Sequence, residues 1–221
     1  MINGFTSVEI AVPDLASARA EYDILLGGLL SRPDGASVAL ANAAIGLRED
    51  PALEAAQITG LALWSEEGEA ALPADCRGLD LSVTTTREVS PATTLTGIKA
   101  VDHVVLRSRD ADDCIRLFNA DLGMRLALDQ AVPEWGGRML FFRCGKLTLE
   151  VIQHLDDPVG ADHFWGITFL VEDLPTTLAL LDERGVQHSE LREGRKAGTV
   201  VATVKSHHLG LPTLLIQPLR Q

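Results

Sequence analysis

Basic side chains are scarce in this chain. Nineteen Lys and Arg stand against 31 Asp and Glu in 221 residues, a net charge of -12. Most of the surface therefore repels phosphate backbones and anionic lipid heads, and neither nucleic acid nor a membrane is an expected partner. No apolar run approaches the ~20 residues of a membrane span. The opening MINGFTSVEIAVPD lacks the basic and then apolar regions of a secretion signal, so the expected location is the cytoplasm. Cysteine is rare too: Cys76, Cys114 and Cys144 are odd in number, widely spaced and outside any C-x-x-C pair, which argues for reduced thiols and against a disulfide framework or a zinc knot. There is no phosphate-binding glycine loop, Walker pattern or G-x-S-x-G elbow, so nucleotide-driven chemistry is not expected. What the chain does have is 46% hydrophobic residues, enough to bury a core as one large domain or two small ones.

The chain is partly a repeat of itself. Residues 6–28, TSVEIAVPDLASARAEYDILLGG, lie without gaps on residues 102–124, DHVVLRSRDADDCIRLFNADLGM. Asp14 then meets Asp110, Tyr22 meets Phe118, Leu26 meets Leu122 and Gly27 meets Gly123. Each copy reads as an alternating strand, an acidic helix cap, and a helix of about three turns ended by glycine. In the second copy the runs MRLALD, RMLFFRC and KLTLEVIQ follow, separated by Pro133, Gly136, Gly137 and Gly145, which completes a βαβββ module. GITFLVEDL, TTLALLDERG, TVVATVKS and LPTLLIQP supply another module of similar plan. Between the first copy and the second lie ITGLALWSEE and GLDLSVT, where Gly60-Leu61-Ala62-Leu63 matches Gly166-Ile167-Thr168-Phe169 but no room is left for a helix. The expected class is α+β, with four βαβββ modules of which the second is truncated. The polar REVSPATTLTG reads as a linker, dividing the chain into 1–86, a linker over 87–99, and 100–221.

The segments VDHVVLRSRDADDCIRLFNADLGMRL, FFRCGKLTLEVIQ and FWGITFLVEDLPTTLALLDERGV resemble the glyoxalase, bleomycin-resistance and extradiol-dioxygenase proteins, the vicinal oxygen chelate superfamily. The resemblance is strong over 100–218 and fainter over 5–85. It implies glyoxalase-like paired modules whose curved mixed sheets form a cup. It further implies metal-ligand positions at His103, Glu150, Gly166 and Leu214, of which only His103 and Glu150 can ligate. In the first half the matching positions are Ser7, Arg48, Gly60 and about Leu81, no plausible metal set, so the first domain is expected to be degenerate and the second to carry the site.

Alternation along the strands gives the same orientation independently. With Val104 and Leu106 under the helices, His103 and Val105 face the cup; with Leu147, Leu149 and Val151 packed, Thr148, Glu150 and Ile152 face it; with Ile167 and Phe169 packed, Gly166 and Thr168 do. His103 can ligate or shuttle a proton, and Glu150 can ligate or act as base; a buried satisfied histidine and a solvated glutamate are the plainer alternative. Val105, Trp135, Met139, Phe141, Arg143, Thr148, Trp165, Thr168 and His207 are the candidate lining of a substrate pocket. Arg143 either clamps a substrate oxygen through its planar fork or makes a surface ion pair. The loop REGRKAG, 192–198, either covers an anionic substrate or is solvated. His163, His154 and His208 read as exposed, and Cys144 as a packing residue.

The expected function is an enzyme acting on a small oxygen-rich molecule by glyoxalase-like lyase or isomerase chemistry, with a divalent ion (Fe, Mn, Ni or Zn) at His103 and Glu150. A ring-cleaving dioxygenase needs a 2-His-1-carboxylate set that Gly166 and Leu214 do not complete. A metal-free binding or resistance protein is the third reading. A homodimer that completes the cup is left open.

Overall fold

The computed structural model describes residues 2–28, 30–32, 35–67, 72–86, 94–155 and 160–219, with backbone only at 30–32 and 135. Three aspartates start the three helices by the same device. Asp14 Oδ1 accepts from the Ser17 amide at 2.7 Å, Asp110 Oδ1 from Asp113 at 3.0 Å and Asp173 Oδ1 from Thr176 at 3.0 Å, each relieving an orphan N–H of a first turn. The helices are α1 (Leu15–Leu25), α2 (Ala111–Cys114, continuing with π-helical winding through Ile115–Asp121) and α3 (Leu174–Glu183). Gly27, Gly123 and Gly185 follow them with φ of 73°, 71° and 75°, the left-handed turn that stops a helix cheaply only at glycine.

Two mixed sheets carry these helices. The first contains β1 (Gly4–Val12), β2 (Leu30–Arg32), β3 (Gly35–Ala39), β4 (Ala44–Glu49), β5 (Gln57–Trp64) and β6 (Asp80–Thr84), in the order β2-β3-β4-β1-β5-β6. The second contains β7 (Ile98–Arg107), β8 (Arg125–Val132), β9 (Gly137–Cys144), β10 (Leu147–His154), β11 (His163–Val171), β12 (Arg192–Glu193), β13 (Thr199–Val204) and β14 (Thr213–Pro218), in the order β12-β13-β14-β11-β7-β10-β9-β8. β7 and β11, the first strands of their modules, pair antiparallel at the centre, as β1 and β5 do. β14 lies parallel to β11, and β6 parallel to β5. The second module is therefore truncated from the inside: among the described residues it keeps its first and last strands and shows no helix or middle strands between them. β7 begins at Ile98; residues 87–93 of the expected linker lie outside the described residues.

One core joins both sheets. Phe5, Tyr22, Leu61 and Leu63 of the first half share a buried cluster with Phe118, Phe142 and Phe169 of the second. β5, whose module has no helix, lies against β11 of the other sheet. An ion-paired plug adds to the apolar contact. Arg77, from the turn before β6, reaches Asp162 through Nε and Asp113 at 2.8 Å through a terminal nitrogen, with side chains 9% exposed for Arg77 and 1% for Asp162. Asn42 is also buried across the join, donating to the Val101 carbonyl at 2.6 Å and accepting from the Val101 amide at 2.9 Å.

Candidate active site

A slip in strand pairing builds the centre of the site. His103 on β7 stands opposite Thr168 on β11, but the next pair is Val101 with Phe169, so Asp102 has no partner across the ladder. Such a bulge turns two successive side chains toward one face. Ile98, Val101, Val104 and Leu106 accordingly point into the core, while Asp102 and His103 both face the concave side. Asp102 Oδ2 lies 2.8 Å from His103 Nδ1. The other ring nitrogen, Nε2, lies 2.8 Å from Thr168 Oγ1 and 3.3 Å from Glu150 Oε2. Two carboxylates thus approach opposite nitrogens of one imidazole. Asp102 is a site residue that strand alternation missed, because alternation assigns it to the core face; two adjacent polar residues in an otherwise apolar strand were the available signal.

The surroundings tune this chain of groups. Burial would raise Asp102, but the hydrogen bond and charge of His103, with Lys196 and Arg143 beyond, outweigh it and hold the carboxyl below its ordinary value. Asp102 is therefore an anion that fixes the proton of His103 on Nδ1. Burial pushes the Glu150 carboxyl above the ordinary range; His103 and Arg195 oppose the shift and Asp102 reinforces it. Arg195 and Lys196 belong to the loop 192–198, so part of that loop carries its charge to the cup. Burial also pushes the Cys144 thiol up to about 12, in keeping with a packing residue.

The structure gathers most of the expected lining. Val105, Thr148 and Thr168 are buried on the concave face beside His103. Met139, Phe141 and Arg143 alternate along β9 with the core residues Leu140, Phe142 and Cys144. Arg143 donates to Thr148 Oγ1 at 2.9 Å. Trp165 is the bulged residue of β11 and is 42% exposed; the Trp135 side chain lies outside the described residues. His207 hydrogen-bonds to Ser206, and the Leu209 amide donates to Glu21 of α1. Among the described residues nothing ties that loop to Glu150.

Two of the counterpart positions expected in the first half are corrected by register. Ser7 matches His103, but the counterpart of Glu150 is Gly46, opposite Glu9, and not Arg48. A shift of two residues keeps the face, so alternation cannot detect it. The counterpart of Leu214 is Ser82 rather than Leu81, whose side chain is in the core.

The donor set does not fit a metal held by three protein ligands, the usual catalytic minimum. A Cβ at Gly166 would stand 2.8 Å from the Pro212 carbonyl oxygen, so that position is closed to any side chain. Leu214 is apolar, and Asp102 and Glu150 lie on opposite sides of the imidazole. Among the described residues no three His, Cys, Asp or Glu surround a common point.

Comparison with known proteins supplies the remaining context. Residues 102–203 match the family model described as Glyoxalase/Bleomycin resistance protein/Dioxygenase superfamily. A triple mutant of 4-hydroxymandelate synthase from Streptomyces coelicolor is similar in structure over 100% of this chain and 94% of its own, with TM-score 0.74 and 15% identity. A halotolerant catechol dioxygenase is similar over 98% of this chain and 87% of its own, with TM-score 0.72 and 15% identity. Methylmalonyl-CoA epimerase from Mycobacterium tuberculosis covers 58% of this chain and 94% of its own, with TM-score 0.50 and 19% identity. At these identities the likeness is one of fold. No curated protein matches the chain.

Proposed function

Because residues 102–203 belong to the glyoxalase, bleomycin-resistance and dioxygenase superfamily, we propose that the protein is an isomerase- or lyase-type enzyme that moves a proton on a small, oxygen-rich organic molecule held against the eight-stranded sheet. The observation that carries this reading is the line Asp102, His103, Glu150, in which one imidazole connects an ionised carboxylate to a buried one of raised pKa. A carboxyl tuned upward toward neutrality is suited to proton transfer to and from carbon. Glu150 takes a proton from the carbon beside a carbonyl. Asp102 keeps the His103 ring oriented, with Nε2 facing the Glu150 carboxyl at 3.3 Å. Thr148, whose hydroxyl oxygen accepts from Arg143, supplies a donor on the same face for the oxygen that gains charge. Glu150, its proton exchanged with solvent, then returns a proton to carbon, or a group on the neighbouring carbon leaves. The first half, 1–86, supports the sheet that carries the site. The free cysteines support a reducing, cytoplasmic setting.

The test is deuterium exchange in heavy water, followed by proton magnetic resonance, on 2-substituted malonyl thioesters, 2-oxo acids and α-hydroxy ketones. Wild type is expected to exchange the acidic C–H of at least one class before and after exhaustive chelation. Glu150→Gln and His103→Ala are each expected to lose about 10²–10⁴-fold. Exchange abolished by chelation and restored by Fe, Mn, Ni or Zn would replace this reading with the metal-assisted one. Tight retention of a ligand with no exchange would replace it with a binding protein.

A further inference from the structure

The strand registers place one residue from each of seven strands in a single row across the concave face. Arg125 on β8 stands opposite Arg143 on β9, Arg143 opposite Thr148, Thr148 opposite His103, His103 opposite Thr168, Thr168 opposite Leu214, and Leu214 opposite Thr203. Directly paired residues point to the same face. The row therefore carries two neighbouring arginines at one end, two and three strand spacings, or roughly 10 and 15 Å along the sheet, from His103. Arg143 closes that gap by donating to Thr148 at 2.9 Å.

This pairing runs against the charge balance of the chain. Like charges directly opposite in a sheet destabilise it, and a protein of net charge -12 has acids to spare. Arg138, at the other end of β9, shows the usual solution: Asp129 holds it at 2.6 Å and Asp112 at 2.7 Å. Among the described residues, Arg125 has no ion pair and the Arg143 hydrogen bond goes to a hydroxyl. The pair presents planar donors on the concave face, and among the described residues no carboxylate is hydrogen-bonded to either.

We propose that the substrate is an organic anion whose carboxylate or phosphate group is bound by Arg125 and Arg143, so that the carbon to be deprotonated lies toward His103 and Glu150. The bound anion removes the repulsion between the two arginines and fixes the reactive end of the molecule at the other side of Thr148. Lys196, whose charge reaches Asp102, extends the positive rim from the opposite side.

This inference rests on the proton-transfer reading for the role of the anion but not for its binding, so it is tested by binding. Malonate and methyl phosphate are titrated into the whole protein by calorimetry, with malonamide as the neutral control. At least one anion is expected to bind, malonamide is not, and Arg143→Ala and Arg125→Ala are each expected to weaken the anion at least tenfold. Arg143→Lys keeps the charge without the fork and should fall between. Without ligand, Arg125→Ala should raise the melting temperature by about 1–3 °C, which also verifies folding. If neither anion binds, or if both alanine variants bind as well as wild type, the inference is overturned. Anion binding that needs the arginines, with no C–H exchange in any class, would leave it standing and sink the proton-transfer reading. Exchange of the anionic classes by both alanine variants at the wild-type rate and apparent affinity would do the reverse.

Discussion

The two sheets carry equivalent rows with opposite chemistry. From β9 through β10, β7 and β11 to β14 the second sheet reads Arg143, Thr148, His103, Thr168, Leu214. The equivalent strands of the first sheet, β3, β4, β1, β5 and β6, read Ala39, Ala44, Ser7, Ala62, Ser82. Backbone demands were kept in both while side-chain chemistry was not. Gly60 and Gly166 sit at matching positions, where an added Cβ would come 2.7 Å from the Asp80 carbonyl oxygen and 2.8 Å from that of Pro212. A glycine is needed there whether or not a site exists, because the last strand of each pair crosses too close. Glu9, at the centre of the first concave face, is turned back on Ser7 and fills the space over Gly46. One sheet keeps Glu150 in reach of an imidazole; the other ties Glu9 up in a local hydrogen bond.

The comparison breaks first if the first face is active. Glu9→Gln is expected to leave C–H exchange within about twofold of wild type, against the loss of about 10²–10⁴-fold expected for Glu150→Gln; equal losses would mean that both faces act. Next in size is the plug between the halves. Arg77→Ala leaves Asp162, 1% exposed, without its ion-pair partner and with only the Ser108 hydroxyl and the Arg109 amide to satisfy it, and breaking a buried ion pair costs about 3–5 kcal/mol. Urea denaturation should show that loss, and a change under 1 kcal/mol would mean the halves are held by apolar contact alone. Third are the glycines. Gly166→Ala meets backbone and should cost about 1–3 kcal/mol that no partner change recovers, whereas Gly46→Ala meets the Glu9 side chain and should be rescued in the Glu9→Ala background. Tyr22 comes next: its hydroxyl is buried with no described partner, while the second copy has Phe118 at the same place. Tyr22→Phe should therefore stabilise by about 1–2 kcal/mol in the same denaturation assay. The smallest effect is on pH dependence. Glu150 keeps its proton in the folded chain to higher pH than in the unfolded chain. Its contribution to stability is thus present at low pH and declines as pH rises from the ordinary glutamate value through the raised one. Stability curves of wild type and Glu150→Gln should converge on the acid side and separate above it.

Much of this was readable before any coordinates. The repeat, the aspartate caps and the glycine stops depend on neighbours within a turn, and they stand where the sequence puts them. The placing of His103 and Glu150 on one face followed from two-residue alternation, because that period holds wherever pairing is regular. Where pairing slips, it fails: Asp102 was missed at a bulge, and Arg48 was taken for the counterpart of Glu150 across a two-residue shift.

The amino-acid sequence by itself determined the modules, the truncation of the second, and which half keeps ionisable groups at the strand positions of the cup. Those features are local in period, and local periods survive any arrangement of the strands. Only the tertiary structure decided that an aspartate adjacent in sequence turns to the same face as His103, that the position of Gly166 is closed by Pro212, and that two arginines 18 positions apart become neighbours. Each of these depends on which strand lies beside which and in what register, and register is fixed by how the whole sheet packs over its core.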